Sequence, residues 1–289
     1  MDFMRSIYKN EDSKKAVLAL YDRQITELNI SFRDIYVDTS FGKTHLVECG
    51  NLKGKPLLVF HGGNSTTSYN LKCCNFLLPH FHVYAVDIIG HPGKSAEREL
   101  SAYGQAYGKW AAEVIKALGY EKIACFGGSF GGGVLVKTMC VAPELVERSM
   151  LVVPAAIKNA PLYKSMNMAF PMMMYWLTHN EKWLVKCFLP ITLTEEGITE
   201  DFLATARCSI DHVKIKAAMP QNESIESLSS YKNPVFVMAA EKDQLFPAAG
   251  VLPRAKKVWK QCKTYMLKNR GHLHELTEEE KQMIVEFLW

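Results

Sequence analysis

The sequence predicts an α/β fold in which a mainly parallel sheet carries helices on both faces. Apolar runs at 56–60, 83–89 and 234–240 are typical of strands that are buried on both faces. Segments with the periodicity of helices, about 3.6 residues, alternate with these runs, as in a doubly wound sheet. The alternation stops over residues 155–230 and then resumes, which indicates a helical insertion between two strands.

The elements that precede the parallel sheet are predicted to be a helix and an antiparallel hairpin. Residues 12–28 place apolar side chains at helical spacing, and Asp12 or Ser13 is available as the N-cap. Residues 32–38 and 43–49 have the pattern of two strands, and the short turn between them contains a glycine.

The remaining elements follow the strand–helix alternation. Thr277 and Glu280 at the start of the last helix fit a capping box. In chain order we expect a strand at 56–60, a helix at 69–78, a strand at 83–89, a helix at 103–118, a strand from 123, a helix that ends near 141, a strand at 150–153, a strand at 234–240, a helix at 248–259, a strand at 263–267 and a helix at 277–288.

The insertion is predicted to be a cap on one compact core domain. We assign residues 1–154 and 231–289 to the core and residues 155–230 to the cap. The cap is rich in methionine and aromatic residues, and most of these side chains are expected to pack it internally. Some are expected to line a substrate pocket, because ligand sites are mostly apolar and methionine is adaptable. The candidates are Met172, Met173 and Trp176.

The composition is that of an ordinary globular protein. Of the 289 residues, 48% are hydrophobic and 22% are charged, with a net charge of +4. Lysines and arginines are scattered, so we expect no nucleic-acid partner. The longest apolar run, 169–177, is much shorter than the roughly 20 residues that span a bilayer. Residues 1–15 also lack the apolar segment of a signal peptide, so we expect no membrane partner.

The eight cysteines are spread along the chain and mostly lie in apolar segments. No Cys-x-x-Cys pair occurs, and no His, Asp or Glu cluster has metal-ligand spacing, which argues against zinc or thioredoxin-type chemistry. We expect all eight to be reduced thiols in a reducing compartment, which favours a cytoplasmic location.

A glycine-rich stretch between a predicted strand and a predicted helix carries the strongest functional signal. Gly127-Gly128-Ser129-Phe130-Gly131 has the Gly-x-Ser-x-Gly pattern of a nucleophile elbow, in which a strained turn exposes the serine hydroxyl. A plain turn whose serine caps the following helix is the alternative. A phosphate loop is poorly supported, because no Gly-Lys-Ser/Thr and no Gly-x-Gly-x-x-Gly occurs there.

His272 is the candidate general base, because it follows a glycine just after the last predicted strand. His274 is the alternative. Asp243, in the segment after the strand at 234–240, is the candidate acid that orients the base, with Glu241 and Asp211 as alternatives. The order serine, aspartate, histidine favours catalysis over a turn or helix cap at Asp243.

The oxyanion hole is predicted to consist of two backbone amides. One is the amide of Phe130, which follows the nucleophile, and the other is that of Gly63 in His61-Gly62-Gly63 after the strand at 56–60. A plain Gly-Gly turn is the alternative. Asp87, at the end of another strand, is expected to organise the loop at 90–95 by accepting hydrogen bonds from backbone amides.

Together these pieces resemble the α/β-hydrolase fold family along nearly the whole chain. The matching motifs are His61-Gly62-Gly63, Asp87-Ile88-Ile89-Gly90-His91-Pro92-Gly93-Lys94-Ser95, Gly127-Gly128-Ser129-Phe130-Gly131-Gly132, Asp243 with Pro247, and Gly271-His272. Segments 41–45 and 84–90 look like the bacterial serine carboxylesterases that cleave naproxen esters. The resemblance implies an eight-stranded, mostly parallel sheet, a helical cap between strands 6 and 7, a Ser-His-acid triad and no cofactor.

Several relatives with other activities share parts of this pattern. Ser129 argues against haloalkane dehalogenases and epoxide hydrolases, which use an aspartate nucleophile. The Gly-Gly-Ser-x-Gly-Gly form also occurs in homoserine acyltransferases and in proline iminopeptidases. The latter have Trp after the serine, and Phe130 departs from them.

The sequence therefore predicts a serine carboxylesterase of EC 3.1.1 type that cleaves esters of hydrophobic small molecules through an acyl-enzyme on Ser129. An acyltransferase or a hydrolase of amide or C–C bonds on the same triad is the alternative. A non-enzymatic ligand sensor is disfavoured by the intact triad. We expect a small-molecule ester as the partner, and a monomer or a homodimer.

Overall fold

The computed structural model describes residues 6–215 and 218–289. Residues 1–5 belong to the segment in which we expect no signal peptide, and residues 216–217 belong to the predicted cap; both stretches lie outside the described residues.

The described residues form one eight-stranded sheet with strand order β1-β2-β4-β3-β5-β6-β7-β8. β1 and β2 form the predicted antiparallel hairpin, β2 pairs antiparallel with β4, and all other neighbours are parallel. The strands are β1 (Phe32–Thr39), β2 (Gly42–Gly50), β3 (Lys55–Phe60), β4 (Phe81–Val86), β5 (Ile123–Gly128), β6 (Val146–Val152), β7 (Val235–Ala240) and β8 (Lys263–Leu267).

Ten α-helices lie in the described part of the chain, and short 3₁₀ turns occur at Asn75–Leu77, Pro143–Leu145 and Leu162–Met168. The helices are α1 (Glu11–Glu27), α2 (Thr67–Cys73), α3 (Ala106–Ala117), α4 (Ser129–Val141), α5 (Ala169–Thr178), α6 (Glu181–Thr192), α7 (Glu200–His212), α8 (Ile225–Ser229), α9 (Ala248–Val258) and α10 (Glu278–Leu288).

Several predicted ends are wrong for local reasons. Asn10, and not Asp12 or Ser13, caps α1: its backbone is extended and its side chain accepts the amide of Ser13. The predicted strand at 83–89 ends at Val86 because the next side chain turns to bind a loop. The helix predicted at 103–118 begins at Ala106, the strand predicted at 150–153 begins at Val146, and the helix predicted at 69–78 ends at Cys73 before a 3₁₀ turn. The capping box of α10 is confirmed.

The central strands are buried on both faces, which explains their unbroken apolar sequences. In β3, Leu58 and Phe60 pack into a large cluster with residues of α3, α4 and α9 on one face. Leu57 and Val59 pack into a second cluster with residues of α1, α2 and α10 on the other face. The sheet is therefore the middle of three layers, and its C-terminal edge is left for the loops.

The insertion between β6 and β7 contains α5, α6 and α7, which share a small apolar cluster of their own around Tyr175, Leu184 and Ile210. The two ends of the insertion pack elsewhere. Residues 155–157, just after β6, and Leu228 of α8 are buried in the large cluster that also contains residues of α3, α4 and α9. The ends of the predicted cap are thus continuous with the core.

Candidate active site

The glycine-rich turn between β5 and α4 holds Ser129 in a strained conformation. Ser129 has φ of +52°, a left-handed value that is uncommon for a residue with a side chain. The residues two positions before and after it must be glycines because backbone lies against them. A Cβ on Gly127 would lie 2.7 Å from the carbonyl oxygen of Gly131, and one on Gly131 would lie 2.5 Å from that of His61. Local sterics therefore require glycine at both positions.

Ser129, His272 and Asp243 form one hydrogen-bonded chain. Nε2 of His272 lies 2.9 Å from Oγ of Ser129. Nδ1 of the same ring lies 2.8 Å from Oδ2 of Asp243. Asp243 and His272 are buried, which excludes most competing water. The structure thus brings together the three residues that the sequence singles out, in the arrangement of nucleophile, base and orienting acid.

The loop after β7 donates two further hydrogen bonds to Asp243. Its other oxygen, Oδ1, accepts the backbone amides of Leu245 at 2.7 Å and Phe246 at 3.1 Å. Burial alone raises the pKa of the Asp243 carboxyl, but the charge and hydrogen bond of His272 and these amides outweigh burial, so the pKa lies below its usual value. The Phe246 ring packs edge-on against the imidazole, with the ring centroids 5.4 Å apart.

The alternative acids and base lie in other contacts. Glu241 accepts the amide of Asn269 at 2.8 Å in an exposed position. Asp211 accepts the hydroxyl of Tyr175 inside the insertion. Nδ1 of His274 pairs with the carbonyl oxygen of Gly271 at 3.0 Å, and burial lowers the pKa of the His274 ring.

The two candidate oxyanion donors belong to neighbouring segments. A Cβ on Gly63 would lie 3.2 Å from Cβ of Phe130, so these two residues pack directly together. The Phe130 ring points away into the core, where it contacts His91 and Tyr107 at centroid distances of 4.5 and 5.2 Å. Its side chain is therefore a packing group.

His61 makes hydrogen bonds that fix the loop after β3, which carries Gly63. Its Nε2 accepts the backbone amide of Ile88 at 2.9 Å, and its Nδ1 pairs with the carbonyl oxygen of Gly62 at 2.7 Å. Because one nitrogen accepts, the ring is neutral and its Nδ1–H is the donor. Burial lowers the pKa of His61, although the charge of Asp87 opposes that effect.

Asp87 organises the loop that follows β4, as predicted. Its Oδ2 accepts the backbone amide of Lys94 at 2.8 Å, and its Oδ1 accepts the hydroxyl of Tyr21. Sequence reasoning missed His45, whose Nδ1 lies 2.7 Å from Oδ2 of Asp87 and whose Nε2 lies 2.7 Å from Oδ1 of Asp34. The ring of His45 therefore lies between a buried carboxylate and an exposed one. A histidine within a strand was the only signal for it.

The insertion contacts the loops that follow β7 and β8. In the loop after β7, Oε1 of Gln244 accepts the side-chain amide of Asn167 at 3.1 Å. In the loop after β8, the backbone amide of Leu273 donates to the carbonyl oxygen of Ile191 at 2.9 Å. The insertion therefore contacts the two loops that carry Asp243 and His272.

The three methionine and tryptophan candidates for the pocket lie in two environments. Met172 packs against the apolar cluster of the insertion, whereas the side chains of Met173 and Trp176 are 47% and 54% exposed. None of the three lines a cavity of about 490 Å³ next to Phe130. That cavity is lined by Glu99, Leu100, Ser101, Ala102, Tyr103, Tyr107, Phe130, Lys214, Ile215 and Ala218.

Over residues 6–215 and 218–289, no three His, Cys, Asp or Glu side chains are grouped so that they could hold a metal ion. All eight cysteines are free thiols. Within the same described stretches, no helix has the length and apolar character needed to cross a bilayer.

Comparison with known proteins supports the fold and the resemblance. Residues 55–184 match the model of the alpha/beta hydrolase fold family. The chain is 27% identical to carboxylesterase YbfK of Bacillus subtilis (strain 168) over 281 residues, 93% of this chain and 92% of that protein. It is 23% identical to the uncharacterized carboxylesterase nap of the same organism over 263 residues, 88% of this chain and 85% of that one.

Solved structures agree with these relatives. The naproxen esterase (carboxylesterase NP) of Bacillus subtilis superposes with a TM-score of 0.81 at 20% identity, covering 96% of this chain and 97% of that chain. Carboxylesterase CesB (YbfK) of Bacillus subtilis gives 0.79 at 24% identity, with 96% and 98% covered. The α/β-hydrolase fold and the likeness to bacterial carboxylesterases are thereby confirmed.

Proposed function

We propose that this carboxylesterase-like α/β-hydrolase is a serine esterase that cleaves carboxylic esters of hydrophobic small molecules through an acyl-enzyme on Ser129. The observation that carries the proposal is the continuous chain from Ser129 Oγ through His272 to Asp243, with hydrogen bonds of 2.9 and 2.8 Å. The similarity to carboxylesterases over nearly the whole chain supports the same reaction class.

In the first half-reaction, Nε2 of His272 takes the proton of the Ser129 hydroxyl while Oγ attacks the ester carbonyl carbon. The carbonyl oxygen becomes an oxyanion, and the backbone amides of Phe130 and Gly63 are the proposed donors to it. The C–O bond to the alcohol then breaks, and His272 gives its proton to the departing alkoxide. The alcohol leaves, and the acyl group remains on Ser129.

In the second half-reaction, water replaces the alcohol. His272 takes a proton from the water as its oxygen attacks the acyl carbonyl, and the same two amides hold the second oxyanion. When the bond to Oγ breaks, the proton on His272 returns to Ser129 and the carboxylic acid leaves. Asp243 stays ionised throughout and stabilises the imidazolium that forms twice in the cycle.

The exposed apolar side chains of the insertion support a preference for hydrophobic esters. Met173 and Trp176, the predicted pocket residues, are among them. They lie in a short segment that also contacts the loop of Asp243 through Asn167. The exposed set comprises Tyr163, Met166, Phe170, Met173, Trp176 and Leu177, with 47% to 72% of each side chain accessible. Exposed apolar side chains that form a contiguous patch mark a binding site for a ligand or a partner.

The test is turnover of p-nitrophenyl acetate and p-nitrophenyl butyrate by the wild type and by Ser129→Ala. We expect the wild type to hydrolyse both, the butyrate faster, and the variant to show only the background rate. A fluorophosphonate probe should add one adduct, at Ser129 in the wild type only. Equal activity of wild type and variant would contradict the proposal.

A second experiment separates hydrolysis from acyl transfer. An acceptor alcohol or homoserine is added together with an acyl-CoA or an ester. Rapid product formation only when the acceptor is present would replace the esterase assignment with an acyltransferase. Amide and C–C substrates are tested in the same assay.

The free thiols of all eight cysteines support the proposed cytoplasmic location. Light scattering distinguishes a monomer from a homodimer.

A further inference from the structure

A strained turn follows β6 and touches the nucleophile directly. Val153 has φ of +42° and Ala156 has φ of +69°, and both residues are buried. Positive φ is unusual for any residue with a side chain, and especially for a β-branched one. Between them, the amide of Ala155 donates to the carbonyl oxygen of Ser129 at 3.1 Å. Strained backbone persists only where the surroundings fix it, so the position of Ser129 depends on what holds this turn.

The far end of the insertion holds the turn in place. The backbone amide of Glu223 donates to the carbonyl oxygen of Ala156 at 2.9 Å. Asn159 closes the other side: its Oδ1 accepts the amide of Ala156 and its Nδ2 donates to the carbonyl oxygen of Pro220, both at 2.9 Å. Its own amide donates to Oδ1 of Asn222 at 2.8 Å. The two ends of the insertion are therefore tied to each other beside Ser129.

The side chain of Glu223 then anchors this junction to the helix that begins at Ser129. Oε1 of Glu223 lies 2.5 Å from Nζ of Lys137 in α4, and Oε2 accepts the side-chain amide of Gln105 at 2.9 Å. Lys137 is 1% exposed and Glu223 is 8% exposed. The guanidinium of Arg254 in α9 donates to the carbonyl oxygen of Glu223.

A buried ion pair of this kind is weak as a source of stability, because desolvation offsets most of its attraction. It is an effective geometric constraint, because a buried charge is stabilised only while its partner stays in contact. The Lys137–Glu223 pair holds α4 against the junction, and the backbone amide of Ala155 in that junction donates to the carbonyl oxygen of Ser129. The result is a closed loop of contacts around the nucleophile.

We propose that Glu223 and Lys137 are positioning residues for the reaction. Their ion pair fixes the turn at 153–156 against the carbonyl of Ser129 and so keeps Oγ aligned with Nε2 of His272. This inference rests on the proposed function, because it assumes that Ser129 is the nucleophile. Neither residue touches the reacting atoms.

The test compares Glu223→Gln with the wild type. Glutamine keeps the shape of the side chain but leaves Lys137 without an anion. We measure the second-order rate constant for labelling of Ser129 by a fluorophosphonate, and kcat and KM for p-nitrophenyl acetate, whose acyl group is too small to depend on the insertion. We expect the labelling constant and kcat to fall at least tenfold while KM changes less than threefold, because small misplacements of a nucleophile reduce rates strongly.

Glu48→Gln is the matched control. The Glu48 side chain on β2 is 8% exposed and binds Arg33 of β1 and His82 of β4. We expect it to lower the unfolding temperature without changing the labelling constant. Where Glu223→Gln does not fold, the double variant Lys137→Met/Glu223→Gln removes both charges, and the same fall in labelling is expected of it.

The outcomes separate the two proposals. A wild-type protein that the probe does not label contradicts the serine nucleophile itself. A labelled wild type together with a folded Glu223 variant that reacts at the wild-type rate overturns the positioning role alone. Equal losses of labelling in the Glu223 and Glu48 variants would also overturn it, because the effect would then follow stability.

Discussion

Nε2 of His272 lies 2.9 Å from Oγ of Ser129, although 143 positions separate the two residues in the sequence. The contact exists because β5 and β8 end at the same edge of the sheet, where the turn after β5 and the loop after β8 meet. His272 is buried in this position, so its distance from the serine is set by packing and not by chance side-chain rotation. The first two predictions follow from this arrangement.

Replacing His272 by glutamine is expected to reduce kcat for p-nitrophenyl esters by about 10³-fold or more, because the proton acceptor for Ser129 is lost. His274→Gln is the control, since Nδ1 of His274 pairs with the carbonyl oxygen of Gly271. We expect that variant to keep activity within a few-fold of the wild type. Steady-state kinetics decide, and a larger loss in the His274 variant would reverse the assignment of the base.

Replacing Asp243 by asparagine is expected to lower kcat by about 10³- to 10⁴-fold with little change in KM. Asparagine keeps one acceptor oxygen, and its amide nitrogen only donates, so it cannot accept both from Nδ1 of His272 on one side and from the amides of Leu245 and Phe246 on the other. Glu241→Gln is the control, because its carboxylate lies in an exposed contact with the amide of Asn269. A greater effect at Glu241 than at Asp243 would show that the acid has been misassigned.

Any side chain at Gly131 is expected to clash with neighbouring backbone and to destabilise the fold. A Cβ there would lie 2.5 Å from the carbonyl oxygen of His61 and 2.6 Å from that of Phe60, and backbone cannot give way as a flexible side chain can. We expect Gly131→Ala to lower the free energy of unfolding by about 2 kcal/mol or more. Gly104→Ala, with no atom within 4 Å of the new Cβ, should change it by less than about 0.5 kcal/mol. Urea unfolding measures both, and equal midpoints would contradict this packing.

The proximity of Ser129, Asp243 and His272 could be predicted from sequence because each of them follows a strand. The apolar runs reveal the strands, and the ends of parallel strands meet at one edge of a sheet, so residues far apart in the chain are brought together by a simple rule. The same rule places the glycine at 63 next to Phe130. Local patterns and the order of the elements were sufficient for this part of the molecule.

Contacts that depend on register or on long insertions were not predictable in this way. His45 meets Asp87 because Leu46 pairs with Val86 in the β2–β4 ladder, and no pattern within either strand specifies that register. Likewise, Glu223 meets Lys137 only once the whole insertion has folded back onto α4. Helix and strand ends shifted for a related reason: Asn10 and not Asp12 caps α1, since cap choice depends on the backbone geometry of one residue.

The stability of the fold is expected to fall below about pH 6.5 because of His61. In the folded chain its Nε2 accepts the amide of Ile88, so the ring is held neutral. Burial lowers its pKa below the ordinary value of about 6.5, more than the charge of Asp87 raises it. In this range the unfolded chain binds a proton that the folded chain does not. The free energy of unfolding therefore rises with pH and decreases as pH falls.

Urea unfolding of the wild type and of His61→Asn at pH 7.5, 6.5 and 5.5 checks this dependence. The variant is expected to be less stable at pH 7.5 but to lose less stability between pH 7.5 and 5.5. Because burial also lowers the pKa of His274, the slope should decrease without disappearing. Carboxyl groups have ordinary pKa values near 4 and titrate mainly below this range. An unchanged slope in the variant would contradict the role of His61.

The buried cluster around Asp87 leads to the last prediction. Its carboxylate faces the imidazole of His45, the hydroxyl of Tyr21 and the amide of Lys94, and the side chains of Asp87 and His45 are fully buried. Burial alone raises the pKa of Asp87, but the hydrogen bond and charge of His45 outweigh it and lower the pKa. Asp87→Asn removes the buried carboxylate that pairs with His45 and accepts the amide of Lys94, and removal of one partner of a buried pair typically costs about 3–5 kcal/mol.

Asp34→Asn is the matched variant for this cluster. It removes the other carboxylate that contacts the His45 ring, and the Asp34 side chain is 39% exposed. Water can replace that partner, so we expect a loss of less than about 1 kcal/mol. Urea unfolding at pH 7 measures both variants. Equal losses would show that the two carboxylates contribute equally to stability, whereas the expected difference assigns the structural role to Asp87 and to the loop after β4 that it holds.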